Sequence, residues 1–363
     1  MPDDALPDPG RLDGRALPDP IRELAAAVRR NRARPAPAWG GGIVLIGAGC
    51  SVTAGIPAAQ GVVDIALRHL AESWLRLDAA EAAALSGEAA YDRLKAEGCA
   101  FGQPYGAGLY YELFDDHLPE ATNQRAVIHE AIQQGGRRIN WAHLRLGQLV
   151  AERCFHTVLT TNFDQLALDG MVRSGLIPAV ADGLESLNRV DEAPRTPQLV
   201  HVHGSLHNYT LRNSRRHVAE VGAAANLAGA LRGLLRAAPF LLVVGYRGEE
   251  AGLMAPLDRA LADLPDKAVF WTMQGETPGP EVQRLAATHR GVRILRRQDA
   301  DALFDGIARA RARPAWMDGG PGGAAARGGG AHRAAGLLRA CASAAGGACA
   351  RAGGFDGQPA RPA

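Results

Sequence analysis

Residues 43–57, IVLIGAGCSVTAGIP, constrain the fold of this chain more than any other stretch. Ile43, Val44, Leu45 and Ile46 make a short unbroken apolar run, the pattern of a strand buried on both faces of a parallel sheet. Gly47 and Gly49 follow at once, and glycine lacks the Cβ that obstructs a tight turn or a close backbone approach. A helix placed after such a turn aims its unpaired N–H groups at a phosphate. The stretch therefore reads as the opening of a dinucleotide site. The third glycine comes late, at Gly55, so a plain strand-to-helix turn is the alternative for this segment taken alone.

Two later segments end in the same way. In His156–Asp169 (HTVLTTNFDQLALD) an apolar run stops at a polar cluster of Thr160, Thr161, Asn162 and Asp164. In Leu199–Asn208 (LVHVHGSLHN) a second run stops at His203-Gly204-Ser205. Polar residues at the carboxyl ends of parallel strands are where open α/β sheets hold ligands. Asn and Asp bind hydroxyls or amides, and His moves protons near neutral pH. Helix capping by Asn162 and Asp164, and a structural role for His203, are the plainer readings of each residue by itself.

In this order the segments resemble the sirtuin (SIR2) family. Gly47-Ala48-Gly49-Cys50-Ser51 with Gly55-Ile56-Pro57 is similar to its opening NAD-binding motif. Thr160-Thr161-Asn162-Phe163-Asp164 resembles its Thr-Gln-Asn-Ile-Asp motif, and His203-Gly204 its catalytic His-Gly. Val243-Val244-Gly245-Tyr246 stands where sirtuins carry Gly-Thr-Ser. The resemblance runs from about Gly41 to Ile307 and is strongest to the bacterial SIR2-like branch, which includes antiphage NAD-degrading enzymes. It implies a Rossmann-like parallel sheet with helices on both faces, an inserted helical module, and NAD as substrate.

Departures from the family are as informative. Cys50, Cys99, Cys154, Cys341 and Cys349 include no C-x-x-C pair, so a four-thiolate zinc module has no support and no metal is expected. His201 and His203 share a strand side, but no third ligand stands at useful spacing. His201 reads as a packing residue. Ala58, Ala59 and Gln60 replace the Asp-Phe-Arg that sirtuins place after Gly-Ile-Pro. Deacetylation is thereby weakened relative to NAD cleavage.

The leading expectation is an NAD glycohydrolase yielding nicotinamide and ADP-ribose. By the resemblance, Gly47, Ala48, Gly49 and Ser51 cradle the phosphates, and Gly55, Thr161, Asp164, Gly245 and Tyr246 complete the cofactor site. Asn162 positions the ribose or a water, and His203 accepts a proton. The alternatives are a non-catalytic NAD or ADP-ribose sensor in a defence complex, a deacylase, or an ADP-ribosyltransferase. An NAD-consuming toxin must be restrained, so an inactive resting state released by oligomerisation or a defence-system partner is expected.

The chain has 363 residues, enough for one main α/β domain with a smaller module. With 40 basic and 38 acidic residues, its formal charge of +2 does not point to nucleic acid. The arginines near 29–34 and 212–216 read as solvated faces. No apolar run approaches the roughly 18–20 residues that span a bilayer. The N-terminus has no signal-peptide core, and the scattered cysteines fit a reducing cytoplasm.

Along the chain, residues 1–20 read as a flexible leader and 21–316 as the SIR2-like domain. Ile21–Arg34 is an expected helix behind Asp19-Pro20. Strands are expected at 43–47, 155–161, 198–203, 240–245, 268–273 and 292–295, with a final helix at Asp299–Arg309. A helical module occupies about 62–150, including Val62–Leu85, Leu109–His117 and Ala142–Arg153. Residues 317–363, crowded with Gly, Ala, Arg and Pro, are expected to be disordered. That composition fits a linker as well as the remnant of a truncated module.

Overall fold

The computed structural model describes residues 11–12, 15–16, 19–30, 39–135, 138–208, 211–212, 214–215, 217 and 225–311. The expected disordered tail, and most of the expected leader, lie outside the described residues.

Seven parallel strands form one sheet: β1 (Gly42–Ile46), β2 (Phe155–Thr160), β3 (Ala179–Asp182), β4 (Gln198–His201), β5 (Phe240–Val244), β6 (Ala268–Thr272) and β7 (Val292–Leu295). Their order across the sheet is β3-β4-β2-β1-β5-β6-β7. This is the expected Rossmann-like arrangement. Six strands match the apolar runs of the sequence to within two residues at either end. The seventh, β3, was not expected. Its four residues alternate little, and Ala179 and Val180 are exposed because β3 is an edge strand.

Alternate residues of the central strands feed two apolar layers, as a period of two requires. Ile43, Leu45, Leu159, Val200, Leu241, Val243 and Trp271 face one layer. It is closed by α8 (Ala225–Ala237), α9 (Ala251–Ala262) and α10 (Pro280–Thr288). Val44, Ile46, Val158, Leu199, Leu242 and Val244 face the other. There α1 (Asp19–Arg30), α6 (Trp141–Ala151), α7 (Leu166–Arg173) and α11 (Ala300–Arg311) cover them.

A third core belongs to the helical module. It gathers α2 (Ala59–Leu75), α4 (Gly87–Ala96), the irregular helical segment 107–117 and α5 (Ala121–Gln134) around Leu67, Leu94, Phe114 and Val127. The expected helix 62–85 is broken. Arg76 turns left-handed at φ 54°, and Asp78 caps the short α3 (Ala79–Ala84) with a reciprocal capping box to Glu81. Helix α6 packs on the sheet through Leu146, Leu149 and Val150 rather than on the module core.

Candidate functional site

The loops after β1, β2, β4 and β5 leave the sheet at its carboxyl edge, and their last rungs are level. Ile46 pairs with Thr160 and Val244, and Thr160 pairs with His201. Strand order reverses at β1, between β2 and β5, which is where open α/β sheets keep their crevice. All the sequence-derived candidates fall on these four loops. Asn162 and His203 each stand two residues beyond the Thr160–His201 rung.

The glycine turn is held differently from the sequence expectation. No long helix follows it directly. Two single 3-10 turns, Ala48–Cys50 and Val52–Ala54, intervene before α2 begins at Ala59. Gly47, Gly49, Cys50 and Ser51 donate their backbone N–H groups to Val244, Gly245, Gly47 and Ala48. Those donors are engaged within the protein, and Ala48 is the exposed residue of the turn. A Cβ on Gly47 would lie 2.7 Å from the Gly245 carbonyl oxygen, and one on Gly49 2.8 Å from Gly245 Cα. The absent side chains thus make room for the β5 loop. Gly245 reciprocates at φ +66°, and its own Cβ would sit 2.5 Å from the Cys50 nitrogen. Gly55 takes φ +89° and ends the second turn.

Ser51, Asn162 and Asp164 form one buried hydrogen-bonded unit. Ser51 Oγ donates to Asp164 Oδ2 at 2.8 Å. Asn162 Nδ2 donates to Ser51 Oγ at 3.0 Å and to the Gly47 carbonyl at 3.2 Å. The Asn162 backbone N–H is held by Thr160 Oγ1, and the Thr161 N–H by the Ile46 carbonyl. Asp164 Oδ1 accepts from the Leu166 N–H at the start of α7, so its capping role is real as well. This unit spends the Asn162 amide donor and leaves Asn162 Oδ1 buried without a hydrogen-bond partner among the described residues.

His201 and His203 behave differently. His201 is fully buried, with Nδ1 3.3 Å from the Asn162 carbonyl, so Nδ1 carries the proton. Burial lowers its imidazole below the ordinary 6.5 despite the nearby Asp182 carboxylate. His203 is 3% exposed, and its Nε2 lies 2.9 Å from Glu250 Oε2. That contact has ion-pair distance but lies off the line of a good hydrogen bond. Burial raises the Glu250 carboxyl, but the His203 imidazole outweighs it and holds the group below its ordinary 4.5. Tyr246 is buried beside them, with a hydroxyl pushed well above its ordinary range by burial and then by Glu250.

Three positions carry no motif and were missed in the sequence. Asn140 Nδ2 donates to the Cys50 carbonyl at 2.6 Å and to Thr53 Oγ1 at 2.7 Å, while its Oδ1 caps α6 and contacts His143 Nδ1. His143 is buried behind the turn, and burial lowers its imidazole below 6.5. Glu250 is the third. Only a fold connecting 50 to 140, or 203 to 250, reveals them.

A cleft of about 710 Å³ opens between the module and these loops. Ile56, Phe163 and Asp164 line one side, and Arg125, His129 and Arg138 the other. Asn162 and His203, 7% and 3% exposed, do not line it. Among the described residues no His, Cys, Asp or Glu cluster is placed to hold a metal ion, and no helix is long and apolar enough to cross a membrane.

Residues 156–295 match the family model of the SIR2-like domain. The match includes Thr161, Asn162, Asp164, His203, Gly245 and Tyr246, and the glycine turn precedes it. No curated protein matches the chain. Similar solved structures include a Sir2 enzyme at 13% identity and TM-score 0.38, covering 81% of this chain and 98% of that one. A Sir2 homologue–NAD complex shows 14% identity and TM-score 0.39, covering 80% and 93%. A Sir2 complex with an inhibitor, 2'-O-acetyl-ADP-ribose and a deacetylated peptide shows 14% identity and TM-score 0.36, covering 79% and 96%.

Proposed function

We propose that this chain cleaves NAD at the nicotinamide glycosidic bond, giving nicotinamide and ADP-ribose. The observation that carries the reading is that Asn162 and Asp164 follow β2, and His203 follows β4, from level ends of neighbouring strands inside the segment that matches the SIR2-like domain. Asn162 Oδ1 and His203 Nδ1 are buried polar atoms with no hydrogen-bond partner among the described residues. A ribose, with hydroxyls that donate and accept, suits that set. Nucleotides bind along such carboxyl edges, and the cleft lined by Arg125 and Arg138 gives a cationic wall for a diphosphate.

The chemistry follows from these groups. The C–N bond breaks with its electron pair going to the nicotinamide ring nitrogen, and positive charge develops on the ribosyl carbon. Water attacks that carbon, and its proton passes to His203, either directly or through a ribose hydroxyl. Asn162 positions the ribose or the water. Ser51 and Asp164 hold the Asn162 amide in place, while Gly47, Ala48, Gly49, Gly55, Thr161, Gly245 and Tyr246 shape the surrounding wall.

The burial of Asn162 and His203 supports a closed resting state, opened by self-association or by a partner in a defence system. Deacylation is the second reading, favoured by the same His203 placement. The deciding experiment incubates the purified chain with NAD, alone and with an acylated peptide, and follows products and particle size together. Nicotinamide and ADP-ribose without peptide support hydrolysis. NAD loss that requires the peptide assigns deacylation, and tight binding without products assigns a sensor. His203→Ala and Asn162→Ala should each lower turnover about 10²–10⁴-fold, and Asn162→Ala, which also loses two buried hydrogen bonds, should melt lower by about 1–3 kcal/mol of stability while remaining folded. Full turnover by folded His203→Ala refutes its role as base.

A further inference from the structure

We infer that Glu250 is a positioning residue for His203, holding the proton on Nε2 so that Nδ1 is the nitrogen that accepts the proton. The inference rests on the NAD-cleavage reading above. Its first support is topological. β4 and β5 are not neighbours in the sheet, since β2 and β1 lie between them. His203 follows β4 and Glu250 follows β5, yet their side chains meet at 2.9 Å. The contact therefore spans the crevice above the Asn162 loop and the glycine turn.

Both ends of this span are anchored. Glu250 caps the start of α9, its carbonyl accepting from the Leu253 and Met254 N–H groups. The loop before it is shaped by left-handed Gly245 and Gly248, at φ +66° and +72°. A Cβ on Gly248 would lie 2.6 Å from the Val282 side chain and 2.9 Å from the Trp271 ring, so this loop lies hard against the sheet layer. On the other side, the His203 carbonyl accepts from the Arg212 N–H, and Gly204 turns at φ +81°.

The second support is chemical. A neutral imidazole has one N–H and one lone pair. A carboxylate accepts only, so it selects the tautomer with the proton on the nitrogen facing it. Nε2 faces Glu250, which leaves the lone pair on Nδ1, buried and without a hydrogen-bond partner among the described residues. The same carboxylate stabilises the imidazolium formed after proton transfer.

Nitrogen-15 NMR of the histidine rings at pH 8 tests the tautomer, with His203→Gln used to assign the signal. The expected wild-type state is Nε2–H with an unprotonated Nδ1. Glu250→Gln should lose that preference and lower kcat about 10²–10⁴-fold with KM little changed. Glu250→Asp, with its carboxylate kept, should recover the tautomer and part of the turnover, and melting curves confirm folding. A wild-type ring protonated on Nδ1, or on both nitrogens, overturns the inference, as does unchanged turnover in folded Glu250→Gln. If the wild type does not cleave NAD, the functional reading falls by itself, and the ring spectra still decide whether Glu250 sets the tautomer.

Discussion

Gly49→Ala separates two accounts of the glycine turn. If Gly49 serves ligand approach, the ligand-free variant melts like the wild type and only NAD binding is lost. The structure places the new methyl group 2.8 Å from Gly245 Cα and 3.0 Å from its carbonyl oxygen. Ordinary contact begins near 3.4 Å, so the overlap is about 0.6 Å. Both obstacles are backbone atoms and cannot rotate away. Overpacking of this kind costs about 1–3 kcal/mol. Replacing Gly by Ala also restricts the unfolded chain, which returns about 0.4–1 kcal/mol. Central values of about 2 and about 0.7 kcal/mol leave a net loss of about 1.3 kcal/mol, a fall in Tm of about 3–5 °C at the usual scaling for mid-sized domains. Calorimetry of the ligand-free protein reads it directly. Gly245→Ala should fall further, because it adds a left-handed backbone cost of about 1–2 kcal/mol. Gly108→Ala, with nothing within 4 Å of the new Cβ, is the control and should melt like the wild type. An unshifted Tm for Gly49→Ala refutes the steric account.

Further outcomes follow from the buried polar groups. Asn140→Ala removes a helix cap and the donors to Cys50 and Thr53, and should cost about 1–3 kcal/mol in urea unfolding. Amide exchange at residues 50–55 should quicken with it, and unchanged exchange would remove Asn140 as the anchor of the turn. His143 and His201 resist protonation when folded, so below about pH 6.5 the unfolded chain binds more protons. Their contribution is complete above that pH and declines below it, by at most about 1.4 kcal/mol per pH unit for each histidine. Denaturation at pH 7.5 and 5.5 should show this decline, and a folded His201→Gln should show less of it. An equal slope in that variant would exclude His201 as a source.

Periodicity made the sheet legible because six strands are apolar runs bounded by Gly, Pro or polar residues. β3 escaped because an edge strand needs only one buried face, and Ala179–Asp182 hides little. The helix break at Arg76–Asp78 was locally encoded by Asp78 and Glu81, but the Ala-rich composition on either side masked it. At the site, the motifs located Asn162, Asp164 and His203 without describing their partners. Cys50 and Asn140 meet across 90 residues of chain, and no local pattern announces such a pair. The turn was the most instructive difference. Its glycines were legible as places of close approach, but the approaching group is the Gly245-Tyr246 backbone.

That interlock has a consequence for how the chain acquires its shape. The turn at 47–50 is seated against residues nearly two hundred positions later, through the Gly47 and Gly49 N–H groups bonded to Val244 and Gly245. During synthesis the first strand emerges long before its lock exists. The Asn140 and Asn162 amides can hold the Cys50 and Gly47 carbonyls earlier, but the turn lacks its opposing wall until β5 docks beside β1, so its full geometry should be among the last features to settle. A fragment ending before residue 240 would keep the complete glycine motif in its sequence and lack the surface that gives the motif its form.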